Sequence, residues 1–400
     1  MVLSQLILFG VVFSVAMAVL HGYLGWRIIH YAPWSQRRRR WAWGALVASA
    51  VVIVASFFLR FLPVSQQTSD IAMSAGYVVL GGVVLTWSFV VIRDLAWVTL
   101  KGMGRVTGKD LLPADPDRRR ALFNGLNVGV LGLSGAGAVY GYAEAKRLAT
   151  VVDVDVPIAG LPDALEGFTV AQVSDIHIGP NIKGGYLRAV VEKVNALQPD
   201  LIAVTGDLVD GSVRDLAADV APLQSLRSKH GTFFCTGNHE YYSDAVSWCA
   251  HLETLGLQVL NNRHVVVEHG GASLVVAGVT DHRAETVLAS HRTDPHGCVD
   301  GAPDCDVRLL LAHQPPSIHE AKDVRVGPAR RPFDLQLSGH THGGQFIPWN
   351  LLVGMAMPVT SGLAQFDKTW IYVNQGTGYW GPPLRLGVPA EITRLRLVRG

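Results

Sequence analysis

Two histidines stand one residue apart in the glycine-rich run Gly-His-Thr-His-Gly-Gly-Gln at residues 339–345. This spacing lets their imidazoles reach two different metal ions, because glycine neighbours add no side-chain bulk. Four further motifs with metal-binding residue types precede the run: Asp175-Ile176-His177, Gly206-Asp207-Leu208-Val209-Asp210, Gly237-Asn238-His239-Glu240 and His313-Gln314-Pro315. Carboxylate, imidazole and amide groups suit Mn, Fe or Zn, and the lack of cysteine in every motif argues against a structural zinc site. Together the motifs predict a hydrolase that uses two metal ions.

Each motif taken singly is weak evidence, because an Asp-x-His pair or a lone histidine is more often a surface or core residue than a ligand. However, each motif follows a short apolar run that predicts a buried strand. These runs are residues 168–173, 201–204, 232–234, 307–311 and 333–337. Ligands of open α/β sheets bind beyond the carboxyl ends of the strands, so the five segments are expected to meet in one crevice.

Helical segments alternate with these strands and predict an α/β sandwich. The predicted helices are residues 186–197, 212–226 and 243–255. Later strands, expected at residues 265–268, 274–277, 371–373 and 392–398, are predicted to complete a second sheet of mixed or antiparallel character.

Residues 150–400 carry the motif series D-x-H, G-D-x-x-D, G-N-H-[DE], a separate H and G-H-x-H, and in this they resemble the calcineurin-like metallophosphoesterase superfamily. Within it the chain is most similar to the membrane-associated phosphodiesterases whose pattern ends in G-H-T-H-G-G-Q, a subgroup that includes enzymes acting on UDP-diacylglucosamine-type lipids. The resemblance implies a metallophosphoesterase β-sandwich of two packed sheets flanked by helices. Every ligand position of the series is present, which argues against a non-catalytic relative.

The resemblance also implies two sets of ligands for two divalent metal ions (Mn, Fe or Zn), joined by one bridging carboxylate. One metal ion is expected to bind Asp175, His177 and His342, the other to bind Asn238, His313 and His340, and Asp207 is the bridge. Two cations about 4 Å apart generate a bridging hydroxide, orient it for in-line attack on phosphorus and neutralise the phosphoryl oxygens.

Two further residues are candidates for catalysis. His239 follows the ligand Asn238 and is placed to donate a hydrogen bond or a proton to the phosphate or the leaving oxygen. The resemblance implies that Asp210 orients His239, and the alternative is that Asp210 is the N-cap of the helix at residues 212–226. The expected function is hydrolysis of phosphodiesters, with lipids or envelope precursors as candidate substrates. A phosphomonoesterase of the same mechanism and a non-catalytic membrane receptor or scaffold are the alternatives.

Residues 1–148 predict a membrane region, and residues 149–400 form the predicted catalytic domain. Four apolar stretches are each about 20 residues or longer, enough to cross a hydrocarbon layer about 30 Å thick: residues 2–26, 42–62, 71–92 and 121–142. The first and third loops are basic, at residues 37–40 and 93–120, whereas the second has no Lys or Arg between Phe61 and Asp70. The positive-inside rule places the basic loops in the cytoplasm. We therefore predict a multi-pass plasma-membrane protein whose catalytic domain faces outside.

Three smaller features bear on location and partners. Arg119-Arg120 ahead of the fourth stretch resembles an internal twin-arginine export signal, with an ordinary cytoplasmic basic flank as the alternative. Cys298 and Cys305 flank a loop that a disulfide would close in an oxidising compartment. The net charge of +2 is small and gives no indication of a nucleic-acid partner.

The sequence is least informative about the substrate. Residues 346–363, directly after the paired histidines, contain no charged residue. A membrane-facing lip and ordinary packing of a long active-site loop are both consistent with that composition. Arg385 is a candidate either for contact with a substrate phosphate or for holding a loop by hydrogen bonds.

Overall fold

The computed structural model describes the backbone of residues 3–400 and the side chains from residue 7 onward. Val2, the first residue of the first predicted membrane stretch, lies outside the described residues. The chain divides into two compact units: one contains the residues up to Ala143 together with Gly381–Leu384, and the other contains Glu144–Trp380 and Arg385–Gly400.

The N-terminal unit is built from four long helices, each long and apolar enough to cross a membrane. They are α1 (Leu3–Leu24), which continues as a π-helix over Gly25–His30, α2 (Gln36–Leu59), α3 (Gln66–Thr107) and α4 (Pro116–Ala145). Leu24, Ile28, Val90 and Val130 form a buried apolar cluster among α1, its π-helical extension, α3 and α4. Within the described residues each of the four predicted membrane stretches is therefore helical, except residues 60–62, which follow the end of α2.

The predicted third loop is wrong over much of its length, because α3 continues to Thr107. It ends where Gly108 takes a left-handed C-cap conformation (φ 68°), which glycine adopts without steric cost. The next helix starts at Pro116, a residue favoured in a first helical turn, after Asp115 has accepted hydrogen bonds from the backbone N–H groups of Asp117 and Arg118. The connection shrinks to residues 108–115, and Arg119 and Arg120 lie in the first turns of α4.

The second unit contains two six-stranded sheets. The first sheet consists of β1 (Thr150–Ile158), β2 (Thr169–Val173), β3 (Leu201–Val204), β4 (Thr232–Phe234), β5 (Leu257–Val259) and β12 (Glu391–Arg399). The second consists of β6 (Arg263–His269), β7 (Ala272–Gly278), β8 (Val307–Leu311), β9 (Leu335–Ser338), β10 (Gly362–Phe366) and β11 (Thr369–Val373). Helices α5 (Gly184–Ala196), α6 (Val213–Val220), α7 (Asn238–Tyr242), α8 (Ala245–Thr254), α9 (Ile318–Ala321) and α10 (Trp349–Ala356) connect these strands.

Both sheets have a parallel centre. The first runs β1-β12-β2-β3-β4-β5, in which β2 to β5 are parallel and β12 is antiparallel to β2. The second runs β10-β11-β9-β8-β7-β6, in which β7, β8, β9 and β11 are parallel and the two edge strands are antiparallel. The carboxyl ends of the central strands of each sheet therefore meet along one edge of that sheet.

The two sheets pack face to face, because alternate residues along each strand point to opposite sides. Val170 and Phe233 of the first sheet share a buried cluster with Leu309 and Leu335 of the second. Each such side chain contributes about 1.5–3 kcal/mol when it leaves water. The other face of the first sheet is covered by helices α5, α6 and α8, with Trp248 fully buried against it. The predicted α/β sandwich flanked by helices is thus confirmed.

Two details differ from the sequence prediction. Residues 392–398 do form a strand, β12, but it belongs to the first sheet, where Thr393 pairs with Gln172. Apolar alternation predicts a strand without naming its neighbour, and this neighbour is distant in sequence. The four cysteines, all within the described residues, are unbonded. Cys298 is buried with its Sγ 3.2 Å from the carbonyl oxygen of Pro295, so the proposed link to Cys305 is absent.

Candidate metal centre

All five sequence motifs lie where a strand ends. Asp175 and His177 follow β2, Asp207 follows β3, Asn238 follows β4, and the remaining histidines follow β8 and β9. Neighbouring loops are joined through their backbones: the N–H of Asp175 donates to Gly206 O at 3.0 Å, and the N–H of His177 donates to Asp207 O at 3.1 Å. The convergence expected from the strand pattern is present in the structure.

The first predicted ligand set is a compact buried group. His177 Nε2 lies 3.1 Å from His342 Nε2, and His342 Nε2 lies 3.4 Å from Asp175 Oδ1. Asp207 Oδ2 is 3.9 Å from His177 Nε2. The ligand atoms of Asp175, His177 and His342 all lie within 4.8 Å of one another, a spacing that suits a single metal ion.

The second predicted set surrounds the other side of Asp207. Its carboxylate, His313 and His340 offer ligand atoms within 4.8 Å of one another. His313 Nε2 lies 3.0 Å from Asp207 Oδ2, but the pair lacks hydrogen-bond geometry. Asp207 therefore adjoins both groups, as a bridging carboxylate would.

Unpartnered atoms in this second group test whether a cation fits. Asn238 Oδ1, His313 Nε2 and His340 Nδ1 are buried and have no hydrogen-bond partner among the described residues. A buried polar atom without a partner costs about 1–3 kcal/mol, so three of them in one place call for a common ligand. Each of these three atoms carries a lone pair that can coordinate divalent Mn, Fe or Zn. The residues present thus fit a two-metal centre.

The outer nitrogens of two ligand histidines are held by hydrogen bonds. His313 Nδ1 lies 2.7 Å from Thr205 O, and His177 Nδ1 lies 3.1 Å from Asp210 Oδ1. Such contacts fix the ring and leave Nε2 to face a metal ion. Burial lowers the pKa of His340 to about 3, and burial together with His177 keeps the pKa of His342 well below its usual value. Both imidazoles are therefore neutral, which is the form that binds metal.

Backbone strain concentrates in the same residues. Positive φ angles between 50° and 69° occur at five of the predicted ligands: Asp175, His177, Asp207, His340 and His342. Non-glycine residues seldom adopt this region, and its cost of about 1–3 kcal/mol each is typical of functional sites. Glycines permit the close approach of these loops: a Cβ on Gly237 would lie 2.2 Å from Asp207 Oδ1, and one on Gly339 would lie 2.2 Å from Asp175 Oδ2.

Asp210 contacts the predicted proton donor directly. Its Oδ1 lies 2.6 Å from His239 Nδ1, whereas the N-cap of α6 is Ser212. The helix-cap alternative for Asp210 is therefore wrong. Burial opposes a charge on His239, but Asp207 and Asp210 outweigh it and raise the pKa of His239 to about 9.

Arg385 is fully buried beneath the site and serves to hold a loop. Its guanidinium donates to Gln375 O at 2.9 Å, to Gly376 O at 3.2 Å and to Gly378 O, and it lies 3.3 Å from His342 Nδ1. Burial lowers the pKa of Arg385 to about 10. Of the two alternatives for Arg385, the structure favours the support of the loop at residues 375–378.

Three residues of the site were not predicted from the sequence. Glu240 is fully buried, and its carboxylate accepts hydrogen bonds from the N–H groups of Asp207 (3.0 Å), Leu208 (2.8 Å) and Gly237 (2.7 Å). Tyr242 and Trp380 have ring centroids 5.2 and 5.5 Å from that of His239. The acidic position after Asn-His was a signal for Glu240, but nothing in the local sequence marks Trp380.

Similarity to known proteins identifies the protein family to which this chain belongs. A family model described as calcineurin-like phosphoesterase matches residues 168–344. A transmembrane protein with metallophosphoesterase domain from Bos taurus is 34% identical over 373 residues, which cover 89% of this chain and 80% of that protein. This chain belongs to the calcineurin-like phosphoesterases, a family of metal-dependent hydrolases with a dinuclear metal centre, and the resemblance drawn from the motifs is confirmed.

Other relatives agree with this assignment. A protein of the same description from Danio rerio is 36% identical over 65% of this chain and 60% of its own length. An uncharacterized metallophosphoesterase of Helicobacter pylori strain J99 is 36% identical over 71% of this chain and 73% of its own. Among solved structures, the NAD nucleotidase of Haemophilus influenzae aligns with a TM-score of 0.37 and 16% identity, covering 53% of this chain and 45% of that one. That structural likeness is too weak to inform the substrate.

Proposed function

We propose that this protein is a membrane-anchored phosphodiesterase that binds two divalent metal ions (Mn, Fe or Zn), with its catalytic domain outside the plasma membrane. The observation that carries the proposal is the group of three unpartnered buried atoms on Asn238, His313 and His340 beside the shared carboxylate of Asp207. A non-catalytic receptor would gain nothing from keeping such a costly arrangement.

The proposed ligands divide the work of holding the cations. One cation would be held by Asp175, His177 and His342, and the other by Asn238, His313 and His340. Asp207, which adjoins both groups, would help to hold both. When bound, two such cations activate water and neutralise charge on the phosphoryl oxygens. The residues themselves fix the ligand atoms and keep them out of bulk water, because most of this set is buried.

His239 is the proposed proton donor. Its Nδ1 is engaged by Asp210, so Nε2 is the ring nitrogen that remains for the substrate. Asp210 stabilises the protonated ring and fixes its orientation, and a proton at Nε2 can pass to the leaving oxygen as the phosphorus–oxygen bond breaks. The ring is mostly buried, which limits competing proton transfer to water.

The preference for a diester is supported by the surroundings of His239. A diester carries a second organic substituent on phosphorus, and this group needs a surface beside the metal centre. Trp380 and Tyr242 adjoin the His239 ring and are 51% and 69% exposed, so they offer aromatic surface to such a substituent.

The orientation in the membrane is supported by the basic residues. Arginines occupy residues 37–40 at the start of α2, and Lys101, Arg105 and Lys109 lie at and after the end of α3. The connection between α2 and α3, residues 60–65, carries a single basic residue, Arg60, at its start. The positive-inside rule then leaves both the N-terminus and the chain after α4 outside. Export through Arg119-Arg120 stays a prediction, which normal export from cells lacking the twin-arginine pathway would contradict.

The test is an assay of the purified full chain in detergent with Mn, Zn and Mg separately. Bis-p-nitrophenyl phosphate and p-nitrophenyl phosphate report diester and monoester hydrolysis, and Asp207→Ala is the control. Diester hydrolysis that is lost in Asp207→Ala supports the proposal. Activity on the monoester alone would change the assignment to a phosphatase, and no activity on either ester with any metal would count against a general esterase.

A further inference from the structure

The segment that follows the paired histidines has an unusual surface. Helix α10 contains no buried residue, although seven of its eight residues, in the sequence WNLLVGMA, are apolar. Leu351, Leu352 and Met355 are 67%, 52% and 85% exposed, and Ile347 just before the helix is 43% exposed. Leu351, Leu352 and Met355 lie on one side of the helix, because Met355 is four residues after Leu351 and three after Leu352, and positions three or four residues apart are neighbours. Of the two alternatives for residues 346–363, the exposure of α10 favours the membrane-facing lip.

Helix α10 is nevertheless fixed beside the metal centre. A Cβ on Gly344 would lie 2.2 Å from Asn350 Cα, so the first turn of α10 packs directly on the end of the paired-histidine motif. After the helix, the chain returns to the same motif, where Thr341 Oγ1 donates to Thr360 O at 2.6 Å. Both ends of the apolar segment are thus attached to the loop that carries His340 and His342.

The apolar surface is connected to the proposed proton donor through one pair of residues. Gln345 Nε2 donates to Trp380 O at 3.0 Å, and the N–H of Trp380 donates to Gln345 Oε1 at 2.9 Å. Trp380 in turn places its ring 5.5 Å from that of His239. Gln345, four residues before α10, therefore joins this segment to Trp380 beside the proposed proton donor.

The segment that leads into Trp380 is also bonded to the residues that follow the last membrane helix. That helix, α4, ends at Ala145, and Lys146 directly after it donates to Tyr379 Oη at 2.7 Å. Tyr186 Oη, which accepts from the N–H of Ala149, donates to Thr377 O at 2.6 Å. The residues that leave α4 are thus bonded to the segment 377–379, which leads directly into Trp380.

We propose that α10 inserts into the lipid surface of the membrane that the N-terminal helices span, and that a membrane phospholipid reaches the metal centre across it. The delivery of a phospholipid rests on the proposed phosphodiesterase function, whereas the insertion of α10 into the membrane does not. An exposed, uncharged apolar helix on a domain whose chain is continuous with membrane-spanning helices gains free energy by placing its apolar side chains among acyl chains. Trp380 and Tyr242, whose exposed aromatic rings adjoin His239, suit the headgroup layer.

The insertion is tested with the full chain in lipid nanodiscs. Benzoylphenylalanine replaces Leu352 in one sample and, as a matched control, Val266 in another. Val266 is also an exposed apolar residue (41%), but it lies in β6 at the edge of the second sheet opposite β10. Both samples carry Asp207→Ala, so the result is independent of catalysis. Irradiation should give a lipid adduct by mass spectrometry at position 352 and none at 266.

Three outcomes would overturn the insertion. Lipid adducts of equal yield at both positions would indicate random contact, and no adduct at position 352 would place α10 away from lipid. A crosslink from position 352 to a second copy of the chain would assign this surface to a dimer.

The delivery of lipid is tested with the triple variant Leu351→Asn, Leu352→Asn, Met355→Gln. Turnover of a phospholipid in vesicles should fall by about tenfold or more, because α10 no longer inserts, while turnover of bis-p-nitrophenyl phosphate stays within about twofold. Val266→Asn should change neither rate. An equal loss on both substrates in a variant with an unchanged melting temperature would overturn the delivery role. If the unaltered chain hydrolyses neither ester, the proposed function fails, whereas the crosslinking result still decides the insertion.

Discussion

Asp210 Oδ1 lies 2.6 Å from His239 Nδ1 and 3.1 Å from His177 Nδ1, so one carboxylate oxygen connects the proposed proton donor with a proposed metal ligand. Burial opposes the charge on Asp210, but the two histidines hold its pKa well below the usual range. The carboxylate is therefore ionised wherever the enzyme would work. It orients two imidazoles at once, and its loss should affect both proton transfer and metal binding.

Asp210→Asn should lower kcat for a phosphodiester by about 100-fold, because the neutral amide no longer stabilises a protonated His239. It should also weaken metal binding by about tenfold through His177. Steady-state kinetics over a metal titration separates the two effects. Asp215→Asn is the control, since Asp215 is exposed in α6 and accepts from Ser212. Full activity of Asp210→Asn would remove Asp210 from the mechanism.

Metal removal should destabilise the catalytic unit. A ligand that binds only the folded state stabilises it by about 2.7 kcal/mol at 100 times its Kd, so a chelator should lower the melting temperature by several degrees. In Asp207→Ala, which lacks the shared carboxylate, added Mn should give a much smaller shift. His319→Asn, a change at an exposed histidine of α9, should respond like the unaltered chain. A melting temperature that is insensitive to both chelator and Mn would contradict the metal centre.

The sequence predicted the position of the metal-binding residues better than it predicted the residues and strand pairings that surround them. The paired histidines and Asp207 were placed correctly at strand ends, because a short apolar run followed by glycine and polar residues determines both the strand and its end locally. Trp380 and the pairing of β12 depend on contacts between residues far apart in sequence, which local patterns do not contain. The length of α3 was underestimated, since charged residues such as Lys101 and Arg105 end an apolar stretch without ending a helix.

Arg385→Met should destabilise the protein without changing how the folded enzyme binds substrate. The change removes the donors to the carbonyl oxygens of Gln375, Gly376 and Gly378 and leaves them buried, at a cost of about 3 kcal/mol. Chemical denaturation measures this loss. Arg396→Met is the control, because Arg396 pairs with Asp155 at the surface, where ion pairs contribute about 0–1 kcal/mol. An increased KM for the phosphoester with unchanged stability would instead indicate contact with the substrate phosphate.

The catalytic domain should be accessible from outside the cell. In spheroplasts that express the full chain with an epitope after Gly400, an added protease should remove the epitope while the membrane is intact. The reason is that the basic loops are expected in the cytoplasm, which puts the C-terminal domain on the opposite side of the membrane. An epitope within residues 108–115 should be cleaved only after the membrane is opened. Protection of the C-terminal epitope in intact spheroplasts would reverse the proposed orientation.

Glu240→Gln should weaken metal binding although Glu240 is not a proposed ligand. Both carboxylate oxygens are used: Oε1 accepts from the N–H of Leu208, and Oε2 accepts from the N–H groups of Asp207 and Gly237. Glutamine has a single acceptor oxygen, so at least one buried N–H loses its partner at a cost of about 1–3 kcal/mol. The loop with Asp207 then shifts relative to Asn238, and metal affinity should fall about 10–100-fold, as measured by calorimetry. Glu192→Gln, at an exposed position of α5, should change nothing, and an unaltered metal affinity in Glu240→Gln would show that the backbone alone holds the two loops in place.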